Sequence, residues 1–449
     1  MAAWSITSLR SVEDASRIDA EHYRPEYLKL NALLSWAQPL KAYTRAIIHP
    51  QEFPRRYSKS GWLVIRAQNV RPLRLEFESN EVFLDEDVGD KIYLNHLTAG
   101  DILVTRTGAN FGQCSLYNGE MPKVIATSHT LIIRVNEEID PAYLALFLNT
   151  KQGRLLLDQG MYGSSQPEIA PRFVYRIPVP RFDNKLEKAL ADNVRKAYSL
   201  DRQSVSDFAE AHKFLVSELG LDKLTFDWPV GYTAQFSEVE KSRRLDSEHF
   251  LPEFKSFVQK LPKKITLAPL TRHLTFCNRG KQPFYSDSGL PVVNSKHVQP
   301  NKVILDGNRQ AMPGPLADLQ IRYGDILMNG TGRGTLGRVA PYLANENALP
   351  DNHVTILRSS TLDPVYASFY LNSRAGQMQV EMHQRGSSGQ IELYPFDIRK
   401  FQIWEAPDSV QKEIRKLYDR GAAAEAKSKQ LLAEAKTRVE QLIEEAVAK

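Results

Sequence analysis

Only two cysteines, Cys114 and Cys277, stand in the 449 residues, and they lie in different halves of the chain. That scarcity excludes a disulfide framework and a Cys-rich zinc site, and it fits a reducing cytoplasm. The opening MAAWSITSLRSVEDASRIDAEHYRPEY carries charge from Arg10 onward and no apolar core, so no secretory signal is expected. No run of 18 apolar residues occurs, so no membrane span is expected, and the chain reads as soluble and cytoplasmic. A G-x-x-x-x-G-K-[ST] phosphate loop, a helical His-x-x-x-His pair and a Cys-x-x-Cys are all missing. Excess charge is missing too: 58 Lys and Arg against 53 Asp and Glu leave +5, a balance compatible with a nucleic-acid partner but not diagnostic of one.

What is present is a repeat. RIDAEHYRPEY (Arg17–Tyr27) returns as RLDSEHFLPEF (Arg244–Phe254), and SGWLVIRAQNVRP from Ser60 as SGLPVVNSKHVQP from Ser288. GDILVTRTG from Gly100 returns as GDILMNGTG from Gly324, and SHTLIIR from Ser128 as NHVTILR from Asn352. DPAYLALFLNTKQG and DPVYASFYLNSRAG follow, then GSSQPEI and GSSGQIEL, all at offsets of 223 to 228 residues. A period that long is no solenoid; it is one duplication of a whole module.

Each copy changes texture partway. Short Val-, Ile-, Leu- and Thr-rich runs bounded by Gly, Pro, Asn and Asp read as strands and turns, with a helix near AYLALFLNTKQGRLLLDQ. A long, charged, Pro-free segment then closes each copy. The first, Asn184–Leu219, sets Leu186, Leu190, Val194, Ala197, Val205, Phe208, Leu215 and Leu219 on one stripe. The second, Ser409–Ala448, does so with Val410, Ile414, Leu417, Ala424, Leu431, Ala435 and Leu442. Alternating spacings of three and four predict a narrow coiled-coil seam between two long helices. Asp201, Gly421 and Ser428 fall on those seams, where they would loosen the packing or admit a partner. Gly220, with Asp227-Trp228-Pro229 beyond, is a stop signal, and Pro407-Asp408 a start. The expected domains are therefore 1–182, a helix and linker over 183–228, a second module over 229–405, and a helix over 406–449. The expected class is α+β, two tandem pseudo-symmetric α/β modules whose long helices pair as an antiparallel coiled coil.

Three constellations invite catalytic readings and fail them. GRGTLG (Gly332–Gly337) matches G-x-G-x-x-G, but RVAPYL follows where a dinucleotide site needs a helix, and the sister GANFGQ has lost the pattern. A turn in which Gly108 and Gly332 take positive φ is the better reading. His129 and His353 correspond, but no nucleophile does, since Cys114 matches Val339. Asp19, Glu21 and His22 recur as Asp246, Glu248 and His249, where caps and salt bridges explain them. The turns between strands carry side chains suited to gripping bases and phosphates. In the first copy these are Arg55, Arg56, Tyr57, Lys59, Arg66, Gln68, Asn69, Arg106, Asn110 and Gln113. In the second they are Arg279, Lys281, Gln282, Asn294, Lys296, His297, Asn329 and Arg333. The scaffold phrases are shared while these residues differ, as two readers of different half-sites would require.

The double module, the closing helices and the phrases RIDAEHYRPEY, GDILVTRTG and PDSVQKEIRKL resemble the specificity (S) subunit of type I restriction–modification enzymes over essentially the full length. The resemblance implies that each module is a target-recognition domain for one half of a split, asymmetric target in double-stranded DNA. It implies that the coiled coil sets the spacing and that the chain is not an enzyme. It also implies partner methyltransferase (M) subunits, two of them, and restriction (R) subunits, with no membrane involved. S-adenosylmethionine, ATP and Mg would belong to those partners, with no metal or other cofactor in this chain. No Asn/Asp-Pro-Pro-Tyr/Phe methylase motif and no helicase or nuclease motif occurs here, as a non-catalytic role in DNA methylation and phage defence would have it. The alternatives are a duplicated protein-binding scaffold and, less favoured, a stand-alone DNA-modifying enzyme.

Overall fold

The structure is a computed structural model describing residues 4–77, 81–163, 167–225, 231–314, 319–386 and 391–447. Asp227, Trp228 and Pro229, the Ser-Ser-Gln of GSSQPEI, the Ser-Ser-Gly-Gln of GSSGQIEL and Ala448 lie outside the described residues. The chain divides into two units: Met1–Arg202 with Ala424–Lys449, and Gln203–Ala423.

In unit 1 the strands of the two four-stranded sheets are β1 (Thr44–Ile48), β2 (Tyr57–Ser58), β3 (Trp62–Ile65), β4 (Phe83–Leu84), β5 (Ile102–Thr105), β6 (Cys114–Leu116), β7 (Val124–Ala126) and β8 (Thr130–Val135). One antiparallel sheet has the order β1-β8-β5-β6, with Ile132 opposite both Ile48 and Leu103. A second has the order β2-β4-β3-β7, with β3 and β7 parallel. Unit 2 repeats this with β9 (Leu274–Arg279), β10 (Tyr285–Ser286), β11 (Leu290–Val293), β12 (Gln310–Ala311), β13 (Ile326–Asn329), β14 (Val339–Pro341), β15 (Leu349–Pro350) and β16 (Val354–Ser359). Its sheets run β9-β16-β13-β14 and β10-β12-β11-β15, with β11 and β15 parallel.

The two-residue period of a strand explains why the central runs are apolar throughout. Ile102, Val104, Leu131 and Ile133 feed one core, while Leu103 and Ile132 feed another on the opposite face. Ile326, Met328 and Leu357 divide from Leu327, Val354 and Ile356 in the same way. Each such side chain, fully buried, contributes about 1.5–3 kcal/mol.

The expected helix after each sheet is two helices. They are α1 (Pro141–Leu148) and α2 (Lys151–Gln159) in unit 1. Thr150 caps α2 by accepting from Gly153 N, and a Cβ on Gly153 would sit 2.1 Å from Phe147 O. The chain must turn there, and only glycine clears the carbonyl. Unit 2 breaks at the matching place, where a Cβ on Gly376 would meet Leu371 O at 2.2 Å.

Polar contacts are duplicated as faithfully as the sheets. Buried Asp101 accepts from Arg134 Nε at 3.0 Å, and buried Asp325 from Arg358 Nε at 2.6 Å. Arg17 pairs with Asp19 and donates to the Gly160 and Met161 carbonyls; Arg244 pairs with Asp246 and donates to those of His383 and Gln384. His22 Nδ1 meets the Gln159 carbonyl and His249 Nδ1 that of Met382, both at 2.9 Å. These acids and histidines pin the N-terminal segment to the helix that follows each sheet. Among the described residues no group of three His, Cys, Asp or Glu is arranged to hold a metal ion.

The two long helices are α3 (Asn184–Leu219) and α4 (Asp408–Val447). Gly220, with φ +69, ends α3 in the left-handed region. Ser428 Oγ donates to the Ala197 carbonyl at 2.7 Å and Arg420 pairs with Asp207, so the partner's number falls as one's own rises: the helices are antiparallel. Within unit 1, Leu190, Ala191 and Val194 share a core with Ala435, Val439, Leu442 and Ile443. Within unit 2, Ala211, Leu215 and Leu219 share one with Val410, Ile414, Leu417 and Tyr418.

The middle of the α3 seam differs from expectation. Ser204, Asp207 and Ala211 are the buried positions, whereas Val205 and Phe208 are only partly covered. The cause lies on α4. A Cβ on Gly421 would stand 3.2 Å from Asp207 Cβ, Phe208 Cε1 and Ser204 O, so the backbones approach over small and polar residues. Asp201 leaves the seam and forms an ion pair with Arg74 at 3.5 Å.

Candidate nucleic-acid interface

Three turns of unit 1 converge at one end of its strands. They are the loop after β1, the turn after β3 and the glycine turn after β5. Together with the segment entering β8 they enclose a cavity of about 430 Å³. Arg55, Tyr57, Arg66, Gln68 and Asn110, five of the ten residues expected here, line it. Glu52, Phe53, Thr107, Ser128 and His129 line it as well, and the sequence singled out none of these five as binding residues. The glycine turn is shaped by Gly108, with φ +86, and its counterpart by Gly332, with φ +101, where a side chain would strain the backbone.

The walls are held in place by short polar links. Thr107 Oγ1 and His129 Nδ1 are hydrogen-bonded at 2.9 Å, and Thr331 and His353 at 2.6 Å. The corresponding histidines thus tie the glycine turn to the start of β8 or β16. Ser128 Oγ donates to Glu52 Oε1. His49 Nε2 meets the Ser128 carbonyl at 3.1 Å. Burial, and then the nearby Arg106 charge, hold the His49 imidazole below its ordinary pKa.

The remaining expected residues of unit 1 divide sharply. Arg56 and Lys59 are exposed and line no part of the cavity. Asn69 is 5% exposed, accepts from Arg66 N at 3.0 Å and donates to Glu76 O at 2.8 Å. Both ends of its amide are used to close the turn. Arg106 is spent on Glu168. Gln113 is half-buried beside the same turn.

Unit 2 sorts in the same way. Lys281, Gln282, Lys296 and Arg333 are exposed. The buried His297 Nδ1 accepts from Asn294 N at 3.1 Å, the same turn-closing contact that Asn69 makes. Asn329, fully buried, donates to the Ser295 and Val298 carbonyls at 2.9 and 3.3 Å. Asn294 Oδ1 is occupied by Lys296 N at 3.2 Å. Arg279 donates to the Asn352 carbonyl at 2.6 Å and pairs with Glu392 at 3.3 Å.

No protein-family model and no curated protein matches the chain. Solved structures do. An S subunit of a type I restriction–modification system from M. genitalium is 11% identical, with 89% of this chain and 93% of that one covered and a TM-score of 0.42. The HsdS subunit from Thermoanaerobacter tengcongensis is 14% identical, covering 91% and 95%, with a TM-score of 0.29. A chain from a structural account of type I R-M complex assembly and conformational transition is 14% identical, covering 91% and 96%, with a TM-score of 0.31. Type I S subunits match nearly the whole chain. At such identities residue roles do not transfer, and those above are read from this chain's own contacts. Among its described residues no helix is long and apolar enough to cross a membrane.

Proposed function

We propose that the chain is the DNA-recognition subunit of a type I restriction–modification complex. Each unit reads one half of an asymmetric, two-part duplex target, and the paired helices set the distance between the halves. The observation that carries this reading is the contrast between mirrored scaffold and unmirrored turns. Asp101 and Arg134 match Asp325 and Arg358, yet Pro283 stands in the place of Arg55 and Lys296 in that of Gln68. A duplicated enzyme would keep its chemistry and vary its surface; here the chemistry-bearing surface varies.

The exposed cations Arg55, Arg56, Lys59, Lys281, Lys296 and Arg333 suit phosphates and guanine edges, and Gln68, Asn110 and Gln282 suit adenine. Adenine methylation with S-adenosylmethionine, and ATP-driven restriction, fall to partner M and R subunits. Helices of 36 and 40 residues extend about 54 and 60 Å at 1.5 Å per residue, against roughly 34–36 Å per turn of duplex. They are long enough to fix a spacer of one turn or more.

The test is co-expression with the neighbouring methyltransferase subunit and mapping of methylated adenines with and without this chain. One split motif should appear, and exchanging residues 1–182 for those of another such subunit should alter only one half of it. If no methylated motif depends on the chain, the reading fails.

A further inference from the structure

Within the cavity of unit 1, Glu52 is the misfit. A wall that only had to hold phosphates would be cationic throughout, and a carboxylate on the same wall as Arg55 and Arg66 repels phosphate. We propose that Glu52 reads a base: it accepts from the N4 amino group of a cytosine, and the cavity takes the major-groove edge of one C·G pair. This rests on the DNA-reading function proposed above and adds a base and a residue to it.

An ionised carboxylate is acceptor-only, so it selects an edge that presents a donor. In the major groove only cytosine N4 and adenine N6 do, and guanine and thymine present acceptors there. Adenine sets its N7 acceptor beside the amino group, facing the same carboxylate. Cytosine sets a C–H there instead, which suits the Phe53 and Tyr57 rings on the cavity wall. The guanine of the same pair offers O6 and N7 to a guanidinium, and the exposed Arg55 lines the cavity. Glu52 is also aimed. The hydroxyl of Ser128, itself 7% exposed, donates to Oε1 and leaves Oε2 to accept from the base. The pair is peculiar to this unit: Gly280–Phe284 contains no acid, and Asn352 stands where unit 1 has Ser128.

The test is selection from random-sequence duplexes by the intact chain, comparing the unsubstituted protein with E52Q and S128A. The unsubstituted protein should enrich a split motif with an invariant C·G pair in one half. E52Q should lower the preference for that pair about tenfold or more, the discrimination of a good base contact, with the other half unchanged. S128A, which keeps the carboxylate but releases it, should weaken the preference at the same position by less. A motif that E52Q leaves intact at every position overturns the proposal, as does uniformly tighter binding with unchanged preferences. S128A serves should E52Q fail to fold, and an S128A motif without loss at that pair overturns the proposal too. If the unsubstituted chain enriches no motif, the DNA-reading function itself falls, a result distinct from the others.

Discussion

A carboxylate that both units retain is neutralised from a different strand in each, and that difference can be transplanted. Glu168 and Glu392 bridge to Thr107 and Thr331 in matching positions. In unit 1 the cation is Arg106, immediately after β5; in unit 2 that position is Gly330, and the cation is Arg279 at the end of β9. The residue of unit 1 corresponding to Arg279 is His49, which already contacts the matching carbonyl, that of Ser128, as Arg279 contacts that of Asn352. Arg106→Gly should leave Glu168 without its ion pair. The Glu168 side chain is 29% exposed and keeps part of its hydration, so the loss is about 1–3 kcal/mol rather than the 3–5 of a fully buried pair. Glycine adds roughly 0.5–1 kcal/mol of backbone entropy. His49→Arg in the same chain should restore the ion-pair share and leave only the glycine share. Native-state hydrogen exchange read peptide by peptide is the suitable assay, because two units make one global melting temperature ill-defined. Protection of β5 and β8 should fall in the single variant and recover in the double, with unit 2 peptides as an internal control. A double variant no better protected than Arg106→Gly alone would refute the claim that the two positions are interchangeable.

Three further outcomes are expected. Burial holds the His383 imidazole down, to a pKa of about 4, so the folded state binds fewer protons than the unfolded one below pH 6.5. Its contribution is complete above pH 6.5 and is lost as pH falls towards 4, so unit 2 should lose exchange protection over that window and His383→Leu should flatten the response. Arg134→Ala and Arg358→Ala each strand a carboxylate with 3% or 1% exposure and should each cost about 3–5 kcal/mol, seen as early exchange confined to that unit. Gly421→Ala gains about 1 kcal/mol of helix propensity but presses a methyl to 3.2 Å from three α3 atoms, for which overpacking costs about 1–3. The net should be destabilising, seen as faster hydrogen exchange of the α3 and α4 peptides around Ser204 and Gly421, and slower exchange there would show that the helices can separate freely.

The duplication and both long helices were legible in the sequence because each leaves a signal spread over many residues: phrases at a near-constant offset, and apolar stripes running along helices of 36 and 40 residues. Local geometry was less legible. The split between α1 and α2 turns on one close approach, Gly153 beneath Phe147 O, inside a run that reads as continuous helix. The seam at Ser204, Asp207 and Ala211 was hidden because its buried residues are small or charged, and their burial depends on Gly421 of the other helix. Asn69, His297 and Asn329 were assigned to binding by residue type alone. Each is a hydrogen-bonding side chain that a turn consumes, and composition cannot separate that use from gripping a base. Glu52 was passed over for the converse reason, since an acid does not announce itself in a search for cations and amides. The available signal was comparative: an acid in HPQEFPRRY where RGKQPFY has none.

Asn69 and His297 also explain how two copies can stay folded while their turns diverge. The requirement at that position is an acceptor for the backbone N–H three residues earlier, and an amide oxygen or an imidazole nitrogen meets it equally. The charge requirement at Glu168 and Glu392 is met from either of two strands. Constraints of this kind fix a function for each position, not an identity, and they lie beneath the surface. Above them Arg55, Gln68, Lys281 and Arg333 are exposed, where substitutions ordinarily shift stability by no more than about 0.5 kcal/mol, against the 3–5 of the buried Asp101 and Asp325 pairs. A marginally stable domain can therefore accumulate changes in the turns without approaching unfolding. Under the proposed reading, target sequence is free to change one half-site at a time, because the residues that would read it contribute little to what holds the unit together.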